Sequence, residues 1–358
     1  MKRLVLCCDG TWNRADQKSG DEPCPTNVVK LAYRVAKRDP AGVPQIVYYD
    51  HGVGTGNTMD RLSGGAFGHG LEDNIHDAYR FLVGNYEEGD EIFLFGFSRG
   101  AFTARSVAGM VRNCGILRRE SVRHYTDAIA LYHDGDRHPD HAESVDFRGR
   151  HSVCGEGSVP IRFIGAWDTV GALGIPVRGL KGLTRRRHQF HDAELSGSVQ
   201  LAFHALAIDE RRAPFAPTLW FEKPKDDQVV RQVWFAGVHS DVGGGYPEDG
   251  LSDITLDWML RAARREGGLA LAEMADYALD PRPLARKHES RKGVYRLSPG
   301  ADRPIGLRVT HQGKIAGEPD ATQSVHPSVR ERWERDRGWR PPGLREYFHR
   351  TGDPLAEL

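Results

Sequence analysis

Cysteine, net charge and long apolar runs are all scarce in this sequence, and each shortage removes a class of function. There are five cysteines in 358 residues, an odd number, with no C-x-x-C pair and no Cys/His spacing of a zinc site. That excludes a disulfide-stapled scaffold and a structural zinc module. Cys7 and Cys8 stand side by side in an apolar run, where neighbours point to opposite faces of a strand, so they read as core residues in a reducing compartment. Lys and Arg total 49 and so do Asp and Glu, which excludes a general nucleic-acid binder driven by net positive charge. The basic clusters Arg185-Arg186-Arg187 and Arg261 through Arg265 read as solvated loop or helix face, the alternative being an anionic ligand or a phospholipid surface. No run approaches the about 18–20 apolar residues of a spanning helix, and Leu4–Cys8 is too short for a signal-peptide core. The expectation is a soluble cytoplasmic protein with no integral membrane segment, exported, if at all, without a cleaved signal. Linkers, repeats and low-complexity tracts are absent too, so residues 1–358 read as one domain, with a core from about 3 to 347 and long loop insertions.

What the chain does have is alternation. Leu4–Cys8 is a strand, and Thr26 caps a helix with Val28, Leu31, Ala32 and Val35 on one face, stopped by Asp39-Pro40. Gln45–Tyr49 is the next strand, and Ile75, Ala78, Tyr79, Leu82 and Val83 mark the next helix. Further along come a strand at Glu91–Phe95, helical stretches after Ser98 and near Tyr125–Tyr132, a strand at Ile161–Ala166, a helix around Ser198–Ile208 and a strand at Gln232–Ala236. Such alternation predicts an α/β protein, a mainly parallel sheet covered by helices on both faces. Ligands of such sheets gather at the carboxyl ends of the strands.

One of those ends carries Gly96-Phe97-Ser98-Arg99-Gly100, a G-x-S-x-G sequence between a strand and a helix. This context is what a nucleophile elbow requires, and a Cβ at either glycine would collide with the neighbouring strand or helix. The strand at Ile161 ends in Asp168 and the strand at Gln232 ends just before His239, so Ser98, Asp168 and His239 share one rim in the chain order of the α/β-hydrolase fold. A serine hydroxyl needs an adjacent base, and the base needs a carboxylate on its far nitrogen. Asp241 competes with Asp168 for that last role, and His51, His204 and His326 compete with His239 as base. Oxyanion donors map to the N–H groups of Arg99 and, through the Gly10 turn, Thr11. Cys7-Cys8-Asp9-Gly10-Thr11 has a cysteine where an aspartyl-phosphate phosphatase has its nucleophile, and the tracts Gly52–Gly56 and Gly64–Gly70 lack the ending of a phosphate loop. They read instead as walls and a lid over the site.

Six ordered motifs carry a wider likeness: Cys8-Asp9-Gly10-Thr11-Trp12-Asn13, His51-Gly52-Val53-Gly54-Thr55, the elbow, Trp167-Asp168-Thr169-Val170-Gly171, a His204–Glu210 helix, and Gly237 through Tyr246. Together they resemble an α/β-hydrolase family named after the catalytic domain of type VI secretion phospholipase effectors, from about Arg3 to about Tyr347. The resemblance implies a Ser-Asp-His triad, falling here on Ser98, Asp168 and His239. The secreted effectors of that family carry membrane-anchoring segments beyond the hydrolase core, and this sequence has little after Tyr347.

The expected function is therefore a serine esterase working through an acyl-enzyme on carboxylic esters, acyl lipids or soluble short-to-medium acyl esters, with no cofactor and no metal. Two alternatives stay open at this level. One is a metal-assisted hydrolase built on Asp9, Asp168, His239 and Asp241, whose oxygen-rich set would suit Mg²⁺, Mn²⁺ or Ca²⁺. The other is a non-catalytic binding protein on the same fold.

Overall fold

The computed structural model describes residues 1–10, 13–52, 66–134, 138–171, 195–221, 224–297, 300–309 and 315–357. Thr11, most of the glycine-rich tract between Gly52 and Gly70, and Arg185–Arg187 therefore lie outside the described residues. A seven-stranded sheet runs through the chain: β1 (Arg3–Cys8), β2 (Gln45–Asp50), β3 (Glu91–Phe97), β4 (Ile161–Trp167), β5 (Val199–Ala207), β6 (Val229–Phe235) and β7 (Gln323–Val325). Their order across the sheet is β7-β6-β5-β4-β3-β1-β2, and every neighbouring pair is parallel.

Parallel strands need crossovers, and helices supply them. α1 (Asn27–Arg34) follows β1, α2 (Ala66–Asn85) precedes β3, and α3 (Arg99–Cys114), α4 (Tyr125–His133) and α5 (Ala142–His151) lie between β3 and β4. After β6 come α6 (His239–Gly243) and α7 (Ser252–Arg265), then α8 (Pro327–Arg335) and α9 (Pro342–Thr351). Period-2 alternation splits each strand between two layers. Leu4 and Leu6 with Ile92 and Leu94 face Tyr79, Leu82, Val107 and Val111 on α2 and α3. Val5 and Cys7 with Phe93, Phe95 and Phe97 face the layer of Val28, Leu31, Leu256 and Met259 on α1 and α7. A third cluster, Trp234, Trp333, Trp339 and Phe348, seats α8 and α9 against the β6 end of the sheet. All five cysteines are free thiols, four of them buried.

The sheet order reverses between β1 and β3, so the crevice of this α/β-hydrolase-like fold opens where those two strands end. Residues 198–208, expected as a helix, form β5 instead. Leu201, Ala202, Phe203, Ala205 and Leu206 are all buried because β4 and β6 flank the strand and helices cover both faces. An apolar run buried on both faces carries neither the helix nor the strand period, so its pattern misleads. α1 does begin at Thr26, whose hydroxyl accepts from the Val29 N–H at 3.3 Å, but it ends at Arg34 rather than at Asp39-Pro40.

Close backbone approach sets the position of α3. A Cβ on Gly100 would lie 2.1 Å from the Cys8 carbonyl oxygen, and one on Gly96 would lie 2.4 Å from the Gly100 carbonyl oxygen. Gly100→Ala is therefore expected to destabilise the fold by about 1–3 kcal/mol or more, the usual cost of overpacking. Gly84, near the end of α2 with open space around its Cα, is the control: Gly84→Ala should be neutral or stabilising by up to about 1 kcal/mol. Urea midpoints of the two variants check this, and equal midpoints would refute it.

Candidate active site

Ser98 closes β3 and caps α3 with φ 58° and ψ −120°. Among the described residues only two non-glycine positions have positive φ, and they are Ser98 and Asp168, φ 36°. Such conformations cost of order 1–3 kcal/mol and persist where surroundings over-determine them. Here the surroundings are the glycine contacts above and the Ser98 N–H, which donates to the Trp167 carbonyl at 2.9 Å. Gly10 lies alongside, since a Cβ there would come within 3.3 Å of Ser98 Cβ.

Asp168 extends β4, its N–H donating to the Ala205 carbonyl at 2.8 Å. Its carboxylate is fully buried and fully engaged. Oδ2 meets His239 Nδ1 at 2.6 Å, and Oδ1 accepts from the Ala207 N–H at 3.0 Å. Arg303 reaches both oxygens, Nη1 to Oδ1 at 3.2 Å and Nη2 to Oδ2 at 3.3 Å. Burial alone would raise this carboxyl, but the Arg303 guanidinium and the His239 ring outweigh it and hold it well below the usual carboxylate range.

His239 opens α6. The Phe97 ring, one residue before Ser98, lies 4.6 Å from its imidazole centroid, and Phe215 meets it edge-on at 5.0 Å. The His239 backbone N–H donates to Glu210 Oε2 at 3.4 Å. Glu210 is buried and takes Arg212 on both carboxylate oxygens, with the Ser290 hydroxyl donating to Oε1 at 2.9 Å. Arg212 in turn covers the Phe215 ring at 3.6 Å and faces Tyr295 at 5.5 Å.

The other sequence-predicted residues separate from this group. Asp241 does not face His239: its Oδ1 meets His288 Nδ1 at 2.6 Å and its Oδ2 accepts from the Val238 N–H at 2.9 Å, pinning the start of α6. Asp9 is buried below the rim, accepting from the Thr26 and Tyr49 hydroxyls at 2.7 and 2.8 Å. Burial pushes its carboxyl up against those hydrogen bonds. His204 is buried in β5, accepting from the Thr169 N–H at 3.1 Å, and burial together with Arg105 takes it down to about 3. His326 caps α8 and burial takes it down to about 4. His51 is exposed at the end of β2.

Arg99 sits half-buried in the first turn of α3, where helix N–H groups lack intrahelical partners, and burial lowers its guanidinium to about 10 with Tyr295 opposing. Asp168 and His239 pair with each other, whereas Asp9 and Asp241 turn to partners of their own. Among the described residues no group of three or more His, Cys, Asp and Glu side chains is arranged to hold a metal ion. Arg303 and His288, and the way Glu210 braces His239, escaped the sequence reading. Arg303 and His288 lie in irregular segments with no motif, Glu210 closes the His204–Glu210 motif with no role read from it, and only the fold brings them to the rim.

The model of the family described as T6SS, phospholipase effector Tle1-like, catalytic domain matches residues 2–262. This chain belongs to that family. The match spans Ser98, Asp168 and His239 but ends before Arg303. An uncharacterized protein of Saccharomyces cerevisiae, YEL023C, is 30% identical over 233 residues, 60% of this chain and 32% of its own length, so the chain spans about a third of that relative. Two solved structures are similar. An uncharacterized protein from Pseudomonas aeruginosa is 19% identical, with 78% of this chain and 48% of the other covered and a TM-score of 0.49. A Tle1 effector bound to the VgrG spike of the type 6 secretion system is 21% identical, with 68% and 51% covered and a TM-score of 0.41. No described helix is long and apolar enough to cross a membrane.

Asp50 ends the strand beside β1, and burial pushes its carboxyl up to about 7, with Asp77 and Asp9 adding to the rise. The native state therefore holds a proton that the unfolded chain, titrating near the ordinary value of about 3.9, releases earlier. Stability from this group is full below pH about 4 and lost as pH rises through 7. Asp50→Asn removes that loss, so its melting temperature should gain on wild type progressively between pH 4 and pH 8; a difference independent of pH would refute the assignment.

Proposed function

We propose that this Tle1-like hydrolase is a serine esterase that cleaves carboxylic esters through a covalent acyl-enzyme. One observation carries the reading: a buried Asp168–His239 pair at 2.6 Å, packed on the Phe97 ring that immediately precedes a serine held in a strained strand-to-helix turn. Ser98 Oγ attacks the ester carbonyl while His239 takes its proton. Asp168 keeps the Nδ1–H of His239 pointed inward and stabilises the imidazolium that forms. The Arg99 N–H, at the start of α3, receives the developing oxyanion, with the Thr11 N–H as the second donor. The same imidazole then protonates the leaving alcohol, and water entering by the reverse path frees the acid. The partly exposed aromatic side chains of Phe215, edge-on to the imidazole, and Tyr295, edge-on to Phe215, give an acyl chain apolar surface, which favours short-to-medium acyl esters presented in solution.

A fluorophosphonate probe should label wild type at Ser98 and leave Ser98→Ala unlabelled, with kcat on a soluble ester down by roughly 10⁴-fold or more and the melting temperature unchanged. Labelling elsewhere, or residual activity within tenfold of wild type, would sink the nucleophile. Asp168→Asn should lower kcat by on the order of 10²–10⁴-fold, because the imidazole then adopts the wrong tautomer. Asp241→Asn loses the brace to His288 and should lower the melting temperature more than the rate; the opposite ranking in kcat would move the acid to Asp241.

A further inference from the structure

Arg303 lies 135 residues from Asp168 in sequence and beyond the span of the family match, yet every hydrogen bond its guanidinium makes among the described residues goes to the surroundings of the Asp168–His239 pair. Nη1 and Nη2 take the two oxygens of Asp168, Nε donates to the Glu210 carbonyl at 3.0 Å, and Nη2 also donates to the Phe215 carbonyl at 2.8 Å. The side chain is 3% exposed. Its backbone is fixed as firmly. Pro304 follows it, the Arg303 carbonyl accepts from the Ile305 N–H at 3.0 Å, and Gly343 of α9 packs so close that a Cβ there would lie 2.3 Å from that carbonyl oxygen.

A carboxylate removed from water is costly to ionise unless it is paired and hydrogen-bonded. A triad aspartate has to remain ionised to accept from the histidine, and Asp168 is fully buried. His239 cannot supply the countercharge by itself, because the imidazole is neutral in the resting enzyme whenever it is ready to take the serine proton. A permanent charge has to come from elsewhere. Glu210 is matched by Arg212 and Asp241 by His288, and among the described residues Arg303 is the cation in direct contact with the Asp168 carboxylate.

We propose, resting on the esterase reading above, that Arg303 is a positioning residue of the hydrolytic site: its guanidinium keeps Asp168 ionised and fixes the carboxylate plane while His239 is neutral. The region after residue 262 thus completes the site that the family match leaves open. Arg303 touches no reacting atom. No proton leaves it, and the Nδ1–H of His239 stays on the imidazole throughout, donated to an acceptor that Arg303 maintains.

Arg303→Met tests this. Without the guanidinium the Asp168 carboxyl rises, so the variant should lose kcat by on the order of 10²-fold with KM little changed, and the acidic limb of its rate profile should move up by about one pH unit or more. Its melting temperature should fall further behind wild type as pH rises above about 4, because an ionised Asp168 then stands without its cation. A packing role alone would move neither the limb nor the pH dependence of that gap. The second arm is Arg303→Met combined with Asp168→Asn. A neutral amide needs no cation, so the double variant should recover stability that Arg303→Met loses, or fold where that variant does not.

An unmoved acidic limb in a folded Arg303→Met variant would overturn the proposal. So would a double variant that is less stable than Arg303→Met, or that fails to fold when Arg303→Met also fails. Fluorophosphonate labelling of wild type keeps the two readings apart. Absence of labelling would end the esterase reading, whereas the stability cycle judges the Arg303–Asp168 coupling without any reference to catalysis.

Discussion

How closely α3 can start against the ends of β1 and β3 determines the rest of the rim. The start of the helix packs on the Cys8 carbonyl at Gly100 and folds back on β3 at Gly96, contacts that a Cβ at either position would block. With both glycines in place, the one residue left to make the turn is Ser98, and it does so at φ 58°. The strain is of order 1–3 kcal/mol, and the burial of α3 against both β1 and β3 more than offsets it. Two consequences follow from one contact. Ser98 leaves the pleat of β3 at a positive φ, and the first helical turn, whose N–H groups lack intrahelical partners, begins directly after it.

The imidazole is placed by a different means. α6 is five residues long, too short to hold its own orientation. Two Asp–His pairs hold it instead, and they point in opposite directions along the chain. His239 reaches back to Asp168 at the end of β4, and Asp241, two residues on in the same turn, reaches forward to His288. Asp241 Oδ2 adds a bond to the Val238 N–H at the head of the helix. The tilted Phe97 ring then links the imidazole to the strand that delivers Ser98. The arrangement of the rim is thus a product of long-range pairs laid over a locally determined turn.

This division explains what could be read from the sequence. The Ser98 turn was legible because glycine spacing, an apolar strand and a helical period all lie within twenty residues. The strand ends carrying Asp168 and His239 were legible for the same local reason, and so was the parallel sheet. β5 was not, because Leu201 through Leu206 are covered on both faces and an apolar run of that kind fits helix and strand alike. Arg303 and His288 left no trace at all. Each sits in an irregular stretch, and its partner lies 135 or 47 positions away, so only the completed fold makes either one significant.

Those late residues matter because of the energetics of a buried carboxylate. Asp168 is 0% exposed, and a charge so placed persists only if each of its lone pairs meets a donor. The Ala207 N–H and His239 provide two, and they come from the portion of the chain that carries the family pattern. The remaining donors come from Arg303, held in place by Gly343 on α9 and by the third apolar cluster, in which Ile305 packs with Trp339 and Phe348. The C-terminal helices therefore contribute to the rim without touching it. Their packing fixes the backbone of one arginine, the arginine meets both oxygens of one carboxylate, and that carboxylate holds Nδ1 of the imidazole.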